Sequence, residues 1–247
     1  MKKHIPNALT LLNLFCGCVA LYFVFQNKME LVALFVFLGV CFDFFDGFAA
    51  RILKVQSELG LQLDSLADMV TSGVVPGAVM FQLLRMSKLG GWNEGVSDGL
   101  LGWSHGSVEL FPFLGFLITL GSAYRLANFN IDSSQTTSFV GLPTPANTLM
   151  ILSLPLILLY QNNAFLTELI LNPYFLLAVT LLSTFLLNAR VRLFALKFTH
   201  WGFKGNEIRY LFLILCVVLL ITLKFLAIPV LIVCYVIMSL LGNGPEA

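Results

Sequence analysis

The chain has 247 residues, 58% of them hydrophobic and only 11% charged, less than half the charged share of about 25% usual in soluble domains. That balance excludes a soluble globular protein, a disordered chain and a nucleic-acid binder with a basic face. What remains is one membrane-embedded domain over residues 1–247, and the net charge of +1 matters less than where the few charges sit.

A spanning helix needs about 20 apolar residues. Apolar runs fall at 8–25, 31–53, 62–86, 110–128, 144–160, 170–189, 208–224 and 226–241, which predicts an all-α polytopic protein with about eight transmembrane helices. Met1-Lys2-Lys3-His4 is a positive start, but no small-residue cleavage site follows the first run. That run is therefore expected to be the first membrane helix and not a cleaved signal peptide. Turn residues mark the breaks: Gln26-Asn27-Lys28, Asn162-Asn163 and Asn172-Pro173. Residues 88–109, Gly-rich and carrying Trp92 and Trp103, read as a solvent-side loop with interfacial aromatics. Residues 197–204, with Trp201 and Phe203, read as a positive, aromatic-flanked loop. Almost nothing separates the last two runs, so Lys224 and Pro229 are expected to serve a tight hairpin. Cys16, Cys18, Cys41, Cys216 and Cys234 all lie inside apolar runs without disulfide or zinc spacing, and are expected to be small apolar fillers. His4, His105 and His200 lie in different loops and are expected at interfaces.

Topology follows from the bases. With the N-terminus in the cytoplasm, ten of the 14 Lys and Arg fall on the cytoplasmic side: Lys2, Lys3, Arg51, Lys54, Arg125, Arg190, Arg192, Lys197, Lys204 and Arg209. Lys28, Arg85, Lys88 and Lys224 fall on the other. The excess predicts that both termini are cytoplasmic.

Four acids break the apolar pattern. Asp43 and Asp46 sit late in the second run, and Asp64 and Asp68 open the third. Each charge deep in a span costs about 2.5–3.5 kcal/mol on insertion scales, so four need compensation. At about 100° per residue, Asp43, Asp46, Gly47, Ala50 and Arg51 share one helix face. Gly60, Asp64 and Asp68, spaced four apart, form a stripe on the next helix. A short turn makes the two helices antiparallel neighbours, so the acid stripes are expected to face each other near the cytoplasmic interface. Arg51 and Lys54 are two bases against four acids. Hard oxygen ligands suit Mg²⁺ or Mn²⁺ and not zinc. Two such ions balance the charge and suit a clamp on an in-line phosphoryl displacement.

The pattern Asp43-x2-Asp46-Gly47-x2-Ala50-Arg51-x8-Gly60-x3-Asp64-x3-Asp68 resembles the complete signature of the CDP-alcohol phosphatidyltransferases. Three further segments resemble the phosphatidylserine synthases of that superfamily. They are Ile5-Pro6-Asn7-Ala8-Leu9-Thr10-Leu11-Leu12-Asn13-Leu14, Arg125-Leu126-Ala127-Asn128-Phe129-Asn130 and Phe139-Val140-Gly141-Leu142-Pro143-Thr144-Pro145-Ala146. Asn128 departs from the pattern, since the family usually has Arg there. The resemblance covers roughly residues 5–146 and implies the family's membrane fold, a homodimer and a metal-dependent enzyme of the cytoplasmic (inner) membrane, its active site facing the cytoplasm. It implies transfer of a phosphatidyl group from CDP-diacylglycerol to L-serine with release of CMP. It also implies that Asp43, Asp46 and Asp64 bind two divalent cations, and that Asp68 binds metal or acts as general base.

Beside the resemblance, residue chemistry suggests further roles. Arg51 is always charged and forks onto phosphate oxygens. Ser57 is a donor near the same phosphates, and Gly47 and Gly60 leave room for the nucleotide. Asn7 and Thr10, at the same end of the first span, are candidate CDP-lipid contacts. No His-x-Lys pair is present, which favours single displacement over a covalent intermediate. Arg125, the only base between Lys88 and Arg190, with Asn128, Asn130 and Asp132 nearby, suits a serine carboxylate and amine better than a doubly charged sugar phosphate. On this reading Arg125 takes the carboxylate and Asn130 the amine, with the turn at 141–145 closing over the pocket. The rivals are the same chemistry on glycerol 3-phosphate, inositol phosphate or an archaetidyl lipid, and, from another class, a membrane transporter. A transporter predicts acids spread through the bilayer depth and broken helices in two repeats; here the acids cluster and nothing repeats.

Overall fold

The computed structural model describes residues 4–89, 110–131, 139–193 and 207–242. Trp92, Trp103, His105, Asp132, Lys197, His200 and Trp201, where loops were expected or a site residue was named, lie outside these residues. The described chain is helical apart from one two-residue antiparallel strand pair, β1 (Phe139–Val140) with β2 (Arg192–Leu193).

The first two helices are α1 (His4–Phe25) and α2 (Met29–Ile52), joined through Asn27. Asn27 has φ 55°, a left-handed conformation that Asn tolerates better than most residues. A second tight turn at 53–57 uses Lys54, also left-handed at φ 53°. Ser57 then caps α3 (Glu58–Asp68), its Oγ accepting from the Gly60 N–H at 3.1 Å. After Asp68 the helix widens into a π-helical turn, Met69–Val74, before resuming as α4 (Val75–Leu89). The sequence reading expected an unbroken helix here. A π-turn changes which carbonyls are bonded within the helix, and two neighbours meet its carbonyls: Thr119 Oγ1 donates to Gly73 O and Thr148 Oγ1 to Ser72 O, both at 3.0 Å.

The fourth apolar run opens as a 3₁₀ turn, Phe111–Phe116, and continues as α5 (Leu117–Ile131). The fifth is α6 (Thr144–Tyr160), buried along most of its length. The expected sixth span at 170–189 is α8 (Pro173–Asn188), and a short helix that the apolar runs did not include, α7 (Ala164–Ile170), precedes it at a bend of 63°. The bend has a local cause: Asn163 and Asn172 each cap a helix start through their side-chain oxygen, and Pro173 follows the second cap. The last two runs form α9 (Glu207–Leu223) and α10 (Ala227–Gly242) around a 3₁₀ turn at Lys224–Leu226. Lys224 is left-handed at φ 51°, and the Phe212 and Tyr235 ring centroids lie 5.6 Å apart across the pair. The chain therefore doubles back at Lys224 as a hairpin, as the sequence suggested.

By length and composition four helical runs suffice to cross a membrane, His4–Phe25, Met29–Ile52, Glu58–Lys88 and Tyr210–Leu240, and the reversal at Lys224 divides the last into α9 and α10. A fifth is added if the bent α7–α8 pair is one span. Eight equal spans are therefore not what the described helices display: α6 is shorter, and α5 extends a 3₁₀ turn.

The core is built from Ala20 and Val24 of α1, Val32 and Val36 of α2, Val79 and Leu83 of α4, Ile118, and Ile151 and Ile157 of α6. Large apolar side chains on the outer faces, among them Phe15, Phe37, Phe185 and Ile221, are exposed. An apolar exterior is what a lipid solvent demands. The cysteines are free; Cys16 is buried and Cys18 exposed, in keeping with their opposite sides of α1.

Candidate active site

The acids converge. One oxygen each from Asp43, Asp46 and Asp64 lies within 4.8 Å of the others. The antiparallel α2–α3 turn brings the stripes together, so these three carboxylates meet although 18 residues separate Asp46 from Asp64. Asp68, one turn further in, lies outside that 4.8 Å set but within electrostatic reach of all three, and is held by α1: Asn13 Nδ2 donates to its Oδ1 at 3.2 Å. Asp46 is likewise held by α1, through Thr10 Oγ1 donating to Oδ2 at 2.5 Å. The Thr10 hydroxyl also lies 3.1 Å from Pro6 O.

Helix α1 thus supplies a polar stripe, Asn7, Thr10 and Asn13, at helical spacing toward the acids. The backbones approach closely to allow it. A Cβ on Gly17 would lie 2.5 Å from Thr71 Oγ1 and 3.1 Å from Thr71 Cα; one on Gly39 would lie 2.9 Å from Asn13 Oδ1. Thr71 Oγ1 donates to Asn13 O at 3.2 Å, which fixes Asn13 in turn.

A cavity of about 780 Å³ opens where α1 begins, α2 ends, α3 begins and α5 ends. Its wall includes Asn7, Thr10, Gly47, Arg51, Ser57 and Gly60, together with Asp46 and Asp64. All six residues that the sequence singled out for the CDP-lipid therefore share one space. Gln56 and Phe129 line it too. Arg51 is exposed, and its Nε donates to Gly47 O at 3.0 Å; among the described residues no Lys or Arg forms an ion pair with the four carboxylates. Inert salt bridging by Arg51 and Lys54 is thereby set aside.

The donor set suits a hard divalent cation: three carboxylates in reach of one point, and Asp64 Oδ1 buried without a hydrogen-bond partner. A buried, unpaired carboxylate oxygen is costly unless something cationic meets it.

Arg125 lies on α5, within electrostatic reach of Asp68, and its Nε is buried without a partner. Asn130 is half-buried and already bonded. Its Oδ1 accepts from Ser65 Oγ at 3.1 Å and its Nδ2 points to Gln62 Oε1 at 3.5 Å, so it ties α5 to α3. Gly141 turns with φ 77° against the end of α8, where a Cβ would lie 2.6 Å from Leu187 O. Sequence reasoning gave Asn13 no role, and it passed over Ser72, Ser122 and Asn147. The one signal was a polar residue inside an apolar run, at a helical step from Asp68 for Ser72 and from Arg125 for Ser122.

A family model for CDP-alcohol phosphatidyltransferase matches residues 3–186. Among curated proteins, the CDP-diacylglycerol–serine O-phosphatidyltransferase of Bacillus subtilis (strain 168) is 32% identical over 147 residues, covering 58% of this chain and 70% of that protein. The protein of the same name from Saccharomyces cerevisiae is 34% identical over 167 residues, covering 61% and 53%. The one from Helicobacter pylori (strain 26695) is 26% identical over 201 residues, covering 81% and 75%. The match runs from the polar start of α1 through all four aspartates to the end of α8, and the chain belongs to the CDP-alcohol phosphatidyltransferase family of membrane-embedded enzymes.

Proposed function

We propose that this protein transfers the phosphatidyl group of CDP-diacylglycerol to L-serine, giving phosphatidylserine and CMP. The observation that carries the reading is the single cavity that joins the acid cluster to Asn7, Thr10, Gly47, Arg51, Ser57 and Gly60. It is supported by relatives of that name in three organisms.

Asp43, Asp46 and Asp64 would hold the divalent cations, Mg²⁺ or Mn²⁺, with Asp68 as a further ligand or the base. Bound there, the cations supply charge stabilisation to a phosphoryl group in transfer. The chain's own groups do the rest. Thr10 and Asn13 fix the orientation of Asp46 and Asp68. Arg51, always charged, pairs with the pyrophosphate oxygens at the cavity mouth. The Gly60 N–H is already committed to Ser57 Oγ, so Ser57 offers its hydroxyl proton to a phosphate. The serine hydroxyl oxygen bonds to the phosphatidyl phosphorus as the bond from that phosphorus to the cytidylate oxygen breaks. CMP leaves with the electron pair, and the hydroxyl proton passes to Asp68, whose catalytic contribution as a base is typically 10²–10⁴-fold. Arg125 takes the serine carboxylate. Asn130 Oδ1 keeps a second lone pair beyond its bond to Ser65 and faces the amine.

The finer topology belongs to the same proposal: eight membrane crossings, both termini in the cytoplasm and the cavity facing the cytoplasm of the inner membrane. The Lys224 hairpin and the Lys and Arg distribution support it. The homodimer is proposed on the family resemblance. CMP release from CDP-diacylglycerol by purified protein, with L-serine, glycerol 3-phosphate, inositol phosphate or no acceptor in turn, tests the function. L-Serine is expected to give the fastest release with phosphatidylserine as product; faster turnover with glycerol 3-phosphate overturns the reading.

A further inference from the structure

Inward from Asp68, a second group of polar atoms is buried without hydrogen-bond partners: Ser72 Oγ, Ser122 Oγ, Asn147 Nδ2 and Arg125 Nε. Ser72, Ser122 and Asn147 are each at most 1% exposed. They belong to three elements, the π-turn, α5 and α6, which meet at this depth. A Cβ on Gly73 would lie 3.3 Å from Ser122 Cβ. Thr148 donates to Ser72 O, which sets α6 beside the π-turn. Ser183 of α8 hydrogen-bonds Asn147 Oδ1, leaving the amide nitrogen free. Ser122 is one turn from Arg125 on α5, and Ser72 is four residues beyond Asp68.

Leaving such groups unpaired costs about 1–3 kcal/mol each, and buried polar groups in folded proteins are nearly always paired. Three on adjoining elements, with Arg125 one turn along α5 from Ser122, therefore call for a polar occupant. Every one of the four can donate a hydrogen bond, and one belongs to a guanidinium. Donors on all sides suit an anionic oxygen pair. The elements meet closely through Gly73, where an added Cβ would lie 3.2 Å from Met69 Sδ and 3.3 Å from Ser122 Cβ, so the occupant is small as well. π-turns inside α-helices are frequent at functional sites, and this one presents Ser72 to the group.

We propose that Ser72, Ser122 and Asn147, with Arg125, form the binding site for the carboxylate of the acceptor amino acid. The inference rests on the serine-transfer reading above and extends it to residues outside the aspartate signature. It makes the three uncharged residues selective for an acceptor that carries a carboxylate beside its hydroxyl. Ethanolamine, which lacks one, leaves the donors unmatched.

The test is steady-state kinetics of the purified full-length protein with CDP-diacylglycerol and L-serine. Ser122→Ala and Ser72→Ala are each expected to raise the serine KM about tenfold, the size of one hydrogen bond to a charged group, while CDP-diacylglycerol KM stays within twofold. Asn147→Asp, which sets a like charge against the carboxylate, is expected to raise serine KM further than Asn147→Ala. Unchanged serine KM in folded Ser72→Ala and Ser122→Ala proteins means that the group holds ordered water only, and overturns the proposal. Competition on the parent enzyme needs no variant: L-alanine, which keeps the carboxylate, is expected to inhibit serine transfer at least tenfold more strongly than ethanolamine. Equal inhibition overturns the proposal. If the parent enzyme prefers another acceptor altogether, the functional reading fails first, which the acceptor comparison without variants reveals separately.

Discussion

Two side chains from the first helix decide how the acids are used. Thr10 and Asn13 bring hydrogen-bond donors to Asp46 and Asp68, and groups that orient metal-binding carboxylates commonly change metal affinity 10–100-fold when removed. Thr10→Val keeps the β-branched shape and deletes the donor. It is expected to raise the divalent cation concentration for half-maximal activity by about 10–100-fold, with Thr10→Ser near the parent value; a metal titration of activity checks it. Asp68 is the one of the four that accepts from an amide, Asn13 Nδ2. Asp68→Asn is expected to lower turnover by about 10²–10⁴-fold while CDP-diacylglycerol still binds, as read by equilibrium binding of the labelled nucleotide lipid. Near-normal turnover would remove Asp68 from the base's role.

Elements meet here through small residues, and the contacts differ in what they demand. Gly17 lies against the backbone of Thr71 in the π-turn, and Gly115 against the backbone of Met80 and Phe81, where an added Cβ would come within 2.5 Å of Phe81 N. Small residues at such crossings let helices associate by close packing where lipid supplies no hydrophobic drive. Gly17→Ala is expected to destabilise by about 1–3 kcal/mol, seen as a lower thermal midpoint in detergent. Gly47→Ala meets nothing nearer than Arg51 Nη2 at 4.0 Å. Its midpoint is expected to hold, and its effect to fall on CDP-diacylglycerol KM, because Gly47 lines the cavity. A drop in midpoint equal to that of Gly17→Ala would contradict the distinction. The break between α7 and α8 follows the same local logic: two Asn caps and Pro173 place a bend where a hydropathy window sees one continuous run.

At the scale of the whole molecule, the cavity sits at one end of the bundle, the end where α1 starts and α2 and α5 finish. Ser57 lies at that mouth and is exposed. With the native cysteines replaced, Ser57→Cys is expected to react with a membrane-impermeant thiol reagent only from the cytoplasmic side; labelling from the outside would invert the topology. Activity is expected to vanish in excess EDTA and to return with added Mg²⁺ or Mn²⁺, since three carboxylates within 4.8 Å of one another repel without a cation. Full activity after exhaustive chelation would sink the metal assignment.

The sequence by itself determined the solvent, the helical class and the acid constellation. A charged share of 11% leaves lipid as the only medium for this chain, and helical periodicity alone puts Asp64 and Asp68 on one stripe and Asp43 and Asp46 on one face. The hairpin at Lys224 was legible too, because two apolar runs with no linker between them have to reverse. Only the tertiary structure decided which acids share a point and which one stands aside. Asp43, Asp46 and Asp64 converge across a turn, while Asp68 is claimed by Asn13 from a helix 55 residues away in sequence. Asn172-Pro173 already marked the break before α8, whereas the π-turn and the unpaired group around Ser122 were likewise beyond a one-dimensional reading. Each depends on which neighbour's hydroxyl or backbone fills a given space, and hydropathy records the polarity of a residue without recording what it faces.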